Sequence, residues 1–288
     1  MAKKTYVGVN NIARNVSKMY VGVNGVARRV KKAYVGVTGV ARQCYPNVKI
    51  VTWNGGTDEE IKAMVQAADE GLINLTDYWS VGDTRTVSLS AMAAEYVGES
   101  HAAQTVEFVL MNASGKTLAN ATSSGRTTCS FIVGMKNGLN EGGTIYNAPT
   151  NNQNSWVNSP RRTWCNNTFR NAIPSSIRDI FKQFVNYTSI GQQSSTIVTS
   201  TDYFIFPSEM EVFNTHNYSF EGEGTQISYY QTQSQRIKKI DGTPSRWWER
   251  SPRYNKSNQT CVAASNGGND GAVENWNNLC GVSPYGVI

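Results

Sequence analysis

Three near-copies of one fourteen-residue unit open the chain: Tyr6 begins YVGVNNIARNVSKM, Tyr20 begins YVGVNGVARRVKKA and Tyr34 begins YVGVTGVARQCYP. Self-similarity at a short fixed period marks a duplicated supersecondary unit, which cannot bury a core alone and must rest on something else. Each copy is punctuated at its centre, by Asn10-Asn11, Asn24-Gly25 and Thr38-Gly39, between two short β-prone runs. Asn-Gly favours a type I′ turn because both central residues take positive φ, a demand that Asn-Asn meets less readily and Thr-Gly only in half. Each repeat therefore reads as a β-hairpin. Val9 faces Ile12 and Val7 faces Arg14 on one side, while Gly8 lies opposite Ala13 and Tyr6 opposite Asn15 on the other. A lone hairpin is marginal in water, so docking onto another protein or onto copies of the same chain is expected.

The charge map sets this segment apart. Residues 1–45 hold nine Lys or Arg and no Asp or Glu, which leaves a net charge of −3 on the rest of a chain whose total is +6. A basic stripe suits nucleic acid, an acidic membrane or an acidic protein surface, and a solvated outer face explains it as well. The repeats lack the aromatic stacking platform of single-strand binders, so nucleic acid ranks last. Tyr6, Tyr20, Tyr34, Arg14, Arg28 and Arg42 are the candidate attachment and oligomerisation residues.

Residues 46–288 have room for one substantial core. Only 17% of the chain is charged, and its 14 Tyr and 7 Trp accompany abundant Asn, Ser, Thr and Gly, a mixture suited to a loop-rich extracellular or virion protein. No run approaches the ~20 apolar residues of a membrane helix, and the N-terminus does not read as a signal peptide. Five cysteines, Cys44, Cys129, Cys165, Cys261 and Cys280, form no close-spaced pair, which argues against a disulfide framework or a zinc site. Cys261 and Cys280 could pair if the C-terminus folds back, with buried thiols as the default.

Local signals predict a strand over 48–53, a helix from Thr57 to about Ala68 opened by a Thr57/Glu60 capping box, and strands over 85–92 and 104–111. Ile177, Ile180, Phe181, Phe184 and Val185 recur at helical spacing and predict a helix over 174–186. A strand over 196–206, a short helix capped by Ser208 with Glu211, and a strand over 227–231 follow. The class is α+β, with short strands, two or three helices and long loops.

Several phrases carry a resemblance: Asp77-Tyr78-Trp79 with Val81-Gly82-Asp83, Gln104 to Phe108, Arg162 to Asn167, Phe206 to Glu209, and above all Arg246 to Pro252 paired with Gly281 to Gly286. Together they resemble a little-characterised domain family of gut-bacterial and phage proteins whose fold is similar to C-type lectins, over about residues 48–288. The YVGVNG repeats resemble an N-terminal module of phage structural proteins. The resemblance implies a virion protein with two parts: a basic hairpin array (1–45) that attaches to other virion proteins or oligomerises, with a trimer expected, and a C-type-lectin-like binding domain (46–288).

Between Trp247-Trp248 and Pro284 lies a stretch rich in Asn, Ser and Gly, read as a polar loop displayed from rigid ends. Both tryptophans are expected in the core. Arg253, Tyr254, Asn255, Asn258, Asn269, Asp270, Asn275, Trp276 and Asn277 are the candidate ligand-binding residues: amides supply donors and acceptors, aromatics supply flat faces. Binding to a host-surface glycan or protein and plain solvation both account for this composition. Diversification of the loop by a retroelement is compatible with its Asn content. Glu274 to Asn278 resembles part of a lectin calcium loop, but the partner motif is missing and only Asp270 and Glu274 supply carboxylates, so no metal or other cofactor is expected.

The same superfamily includes formylglycine-generating enzymes, whose active-site cysteines are closely spaced, unlike the late cysteines here. His101 and His216 sit in no catalytic or metal spacing, and Asp202 with Glu209 can be imagined as a carboxylate pair, though the sequence does not place them at glycosidase distance. The expected role is therefore adhesion by a tail or head appendage, with a pure decoration protein as the alternative and catalysis behind both.

Overall fold

The structure, a computed structural model, describes residues 6–9, 12–15, 19–23, 26–30, 33–37, 40–45, 48–93, 100–141, 154–274 and 280–288. It divides into two compact units, Met1–Trp79 with Thr122–Arg126, and Ser80–Ala121 with Thr127–Ile288.

In the first unit the repeats form three antiparallel hairpins, β1 (Tyr6–Val9) with β2 (Ile12–Asn15), β3 (Tyr20–Val23) with β4 (Val26–Arg29), and β5 (Ala33–Val37) with β6 (Val40–Tyr45). The register is the anticipated one: Tyr6 opposite Asn15, Val7 opposite Arg14, Gly8 opposite Ala13 and Val9 opposite Ile12. The second and third repeats copy it, with Val23 opposite Val26 and Val37 opposite Val40. The turn residues themselves (10–11, 24–25, 38–39) lie outside the described residues. Each hairpin is its own two-stranded sheet, so the pairs draw support from side-chain packing. Met19 and Val30, which flank β3 and β4, and Ala33, the first residue of β5, pack with Val48 and Ile73 against Ala67 and Leu72.

Those last two residues belong to, and follow, α1 (Asp58–Asp69), whose start is the predicted capping box. The Thr57 hydroxyl accepts from the Glu60 amide at 3.3 Å, and the Glu60 carboxylate accepts from the Thr57 amide at 3.1 Å. Ile61, Met64, Val65 and Ala68 turn one face inward. The strand expected over 48–53 does not form. Its polar groups are spent on side chains instead: Val51 N–H meets the Met64 sulfur at 3.3 Å, and its carbonyl accepts from the Trp79 indole at 2.9 Å.

The second unit opens with β7 (Thr84–Leu89), β8 (Gln104–Ala113) and β9 (Phe131–Met135). Next come α2 (Pro160–Trp164), a π-helical turn (Cys165–Phe169), α3 (Arg170–Ala172) and α4 (Ser175–Arg178). The hairpin of β10 (Phe184–Gly191) and β11 (Ser194–Asp202) precedes α5 (Glu209–Phe213), a 3-10 turn (Ser228–Gln231) and α6 (Gln233–Arg236). β12 (Lys238–Ile240) pairs with β13 (Thr243–Ser245), and β14 (Trp247–Pro252), β15 (Gln259–Ala263) and β16 (Asn269–Glu274) make an antiparallel meander. The last strand, β17 (Tyr285–Val287), returns to pair with β9 in a four-stranded sheet ordered β17-β9-β8-β7. The class is mixed α+β, and α1 alone among the described helices exceeds five residues.

Two further expectations are corrected. The helix expected over 174–186 stops at Arg178. Lys182 donates its amide to Val287 at 2.9 Å and Val185 to Thr117 at 2.8 Å, so the chain leaves as strand β10. Ile177, Ile180, Phe181 and Phe184 are all buried, but a short turn followed by a strand buries them as well as one helical face would. The strand expected over 227–231 is a 3-10 turn, because Ser228 is pinned by its amide to Asn112 Oδ1 (3.0 Å) and by its hydroxyl to the Met111 carbonyl (3.1 Å). Among the described residues no helix is long and apolar enough to cross a membrane.

Candidate functional site

A buried polar centre in the second unit positions the surface loops. The N3 residue of α5, Glu211, reaches back to the Ser208 amide as a capping box (3.0 Å). The same fully buried carboxylate takes a bidentate guanidinium from Arg250 (2.6 and 3.1 Å), the Lys116 ammonium, and the Tyr285 hydroxyl at 3.0 Å. Burial alone would raise its pKa, but Arg250 and then Lys116 outweigh it and hold Glu211 down at about 2. Gly224, at φ +120°, permits this packing: a Cβ there would sit 2.8 Å from Glu211 Oε1. Arg250 also donates to the carbonyls of Phe206 (2.9 Å), Glu223 (2.7 Å) and Tyr187 (3.1 Å). The phrases Phe206 to Glu209, Arg246 to Pro252 and Gly281 to Gly286 thus meet around one ion pair.

Two more buried carboxylates hold loops by their backbones. Glu209 accepts from the amides of Tyr218 and Ser219 (2.8 Å for the latter) and from Asn269 Nδ2 at 2.7 Å. Glu223 accepts from the Ser189 amide (2.7 Å), the Thr188 hydroxyl (3.0 Å) and the Ser251 hydroxyl. Asp202 takes Arg162 Nε (2.7 Å), Asn166 Nδ2 (3.1 Å) and the Ser200 hydroxyl. The imagined Asp202/Glu209 dyad is therefore two separate anchors, each with its oxygens committed.

What this scaffold displays is the connection between β14 and β15. Arg253, half-buried, donates to Gln259 Oε1 at 2.5 Å; Tyr254 and Asn255 are exposed and Asn258 is half-buried. The connection is clamped from beneath by Asn154, which is fully buried and donates to the carbonyls of Lys256 (2.8 Å) and Gln259 (2.7 Å) while accepting from the Gln192 amide (2.9 Å). Gln192 and Gln193 both take positive φ, as a tight β10–β11 turn requires, and Gln192 Nε2 adds a bond to the Ser257 carbonyl. Tyr254 packs edge-on to Phe220, its amide donates to the Tyr218 carbonyl, and the Tyr218 ring covers Gly271 on β16.

Tyr218 thus ties the Tyr254 segment to the strand that begins with Asn269 and Asp270. Asn269 is spent on Glu209, and Asp270 pairs with Arg246. Asn275, Trp276 and Asn277 lie outside the described residues. The expected polar loop is for the most part the β14–β15–β16 meander, with Trp247 and Trp248 fully buried on its first strand. Sequence reasoning missed Asn154, Gln192, Tyr218 and Phe220; the Gln192-Gln193 turn carries no Gly or Asn, and the others become neighbours only through tertiary contacts.

In the first unit Tyr20 and Tyr34 are 56% and 57% exposed, as are Val21 and Val26 to a similar degree. Tyr6, Arg14, Arg28 and Arg42 occupy the strand positions expected, their side chains lying outside the described set. Cys129, Cys165, Cys261 and Cys280 form no disulfide and are buried. Burial pushes the thiols of Cys165 and Cys261 well up, and that of Cys280 to about 12. Buried His101 shares its Nδ1 with the Asn140 carbonyl at 2.8 Å. Among the described residues no group of three His, Cys, Asp or Glu could hold a metal ion.

The site is therefore an aromatic and amide surface carried on a polar-cored α+β domain. The family described as "Domain of unknown function (DUF6273)" matches residues 135–286, just over half of the 288 residues, and the chain belongs to it. No curated protein and no solved structure matches the chain.

Proposed function

We propose that this is a virion structural protein of a phage appendage, whose second unit has a C-type-lectin-like fold and adheres to a host-surface glycan or protein without catalysing a reaction. The observation that carries this reading is the Tyr254 segment: an exposed aromatic and amide surface whose backbone is fastened by the buried Asn154. Preorganised loops of this composition bind without a large ordering cost. Short strands, long connections and a C-terminal strand returned to the central sheet support the lectin-like fold.

The repeats serve attachment and self-association. Two-stranded hairpins exposing Tyr20, Val21, Val26 and Tyr34 leave apolar surface in need of a cover, and the positive charge of residues 1–45 suits an acidic protein neighbour. The full chain is expected to run as a trimer by light scattering, and Val21→Asp with Val26→Asp to reduce it to monomer. A monomeric wild type would end the self-association reading.

For adhesion, fluorescently labelled full chain is expected to bind cells of a susceptible host. Tyr254→Ala should cut that binding about tenfold, the loss of one aromatic anchor, with an unchanged melting temperature. Absence of binding to any host cell would instead favour a decoration protein that only covers a virion lattice.

A further inference from the structure

A second polar groove in this unit is unused by the surface around Tyr254. It is a cavity of about 340 Å³ walled by the π-helical turn on one side and the end of β11 on the other. π-Turns are rare and concentrate at functional sites, because the wider turn re-aims side chains at a cost in backbone bonding. Here the turn carries Asn166 and Asn167 into the groove and leads directly to Arg170.

Asn166 is fully engaged: its Nδ2 reaches the Arg162 carbonyl (2.9 Å) and Asp202, and its Oδ1 takes the Tyr203 amide (2.6 Å). Arg162 is neutralised by Asp202, whose Oδ1 also takes Asn166 and whose Oδ2 takes the Ser200 hydroxyl. Arg170 differs. Its guanidinium carbon lies over the Tyr203 ring, 3.9 Å from the centroid, and its Nε is buried without a hydrogen-bond partner. Among the described residues no ion pair or hydrogen bond of that side chain accompanies the stacking. Among the described residues the groove therefore holds one cation in excess, seated on an aromatic face, with Asn167, Thr163 and Gln183 around it.

We propose that this groove binds an acidic saccharide, its carboxylate on Arg170 and its ring hydroxyls on Asn167, Thr163 and Gln183. A planar guanidinium held in one orientation matches a carboxylate through two parallel hydrogen bonds. Amide and hydroxyl side chains match vicinal hydroxyls, and the volume falls at the small end of ligand pockets, about the size of one or two sugar rings. A zwitterionic amino acid fits poorly, because Asp202 is buried and its charge is already matched by Arg162. The saccharide half of the proposal rests on the adhesive reading; the oxyanion half does not.

The test is titration of the full chain with D-glucuronate, D-glucose and acetate, followed by calorimetry and by the Arg170 Nε NMR resonance. Glucuronate is expected to bind at least about tenfold tighter than either comparator and to move that resonance. Arg170→Gln should lose about tenfold in affinity, and Arg170→Lys should recover only part of it. The melting temperature of the Gln variant should stay within a few degrees, since only a stacking contact is removed. Glucuronate binding no better than glucose, or binding unchanged in Arg170→Gln, overturns the site. Acetate matching glucuronate overturns its saccharide assignment. Cell binding is read separately through Tyr254, so a failed groove and a failed adhesin give different results.

Discussion

Arg250→Ala is expected to lower the unfolding free energy of the protein by about 3–5 kcal/mol, because it strands a buried carboxylate. In a unit of this size that is a fall of roughly 10 °C in melting temperature, measurable by calorimetry or urea denaturation. Glu211 would keep Lys116 and Tyr285, yet lose the bidentate partner that does most to offset its burial. Arg250→Lys should recover little: one ammonium cannot reproduce a fork that also reaches the carbonyls of Phe206, Glu223 and Tyr187. A simple buried ion pair can often be swapped for apolar residues without loss. This one should resist, because Arg250→Met with Glu211→Leu would orphan three backbone carbonyls, the Lys116 ammonium and the Tyr285 hydroxyl. A double variant as stable as wild type would show the network to be dispensable. The sign of the pH effect follows from Glu211 itself. With its folded pKa at about 2, below the ordinary 4.5, the pair stabilises fully above pH ~4.5 and that contribution is lost as the pH falls through about 2.

Features written in a few adjacent residues were legible in the sequence. Two-residue turns fixed the hairpin register, and the Thr57/Glu60 and Ser208/Glu211 boxes located two helix starts, since each motif closes its own hydrogen bonds. Helical spacing over Ile177 to Val185 misled because the decisive partners, Thr117 and Val287, are remote in sequence and convert Phe184 onward into a strand. The same limit hid the meander: Asn-rich segments read as loop, yet Thr260 pairs with Val273 and Cys261 with Ala272. Of the candidate surface, Tyr254 and Asn255 were visible as types that bind. That Asn269 serves Glu209, and that Asn154 fastens the segment from beneath, depends on contacts 60 to over 100 residues apart.

Glu249→Gln should make the protein progressively more stable than wild type as the pH rises above about 4.5, gaining about 1.4 kcal/mol per pH unit until the wild-type group ionises. Glu249 lies on β14 between Trp248 and Arg250, is fully buried, and neither carboxyl oxygen has a hydrogen-bond partner. Burial, then repulsion from Glu209 and Glu223, raises its pKa well above 4.5, with Arg250 offsetting only part. The folded chain therefore keeps a proton that the unfolded chain releases. Its stabilising share is complete below pH ~4.5 and is lost as the pH climbs through the raised folded value. Glu223, also raised by burial, acts with the same sign. Lys238 acts in the opposite sense: buried, its ammonium is depressed to about 7 from 10.5, so its contribution is present above pH 10.5 and lost as pH falls through about 7. Because Lys238 and Glu223 are present in both proteins, their slopes cancel in the difference between variant and wild type, which isolates residue 249. Gln keeps the shape and the unpaired polar atoms, so the two curves should meet in acid. Glu249→Met removes those atoms as well and should lie above the Gln curve at every pH, by about 1–3 kcal/mol. Parallel wild-type and Gln curves between pH 5 and 9 would mean that Glu249 is ionised in the fold and that Arg250 offsets its burial fully rather than in part.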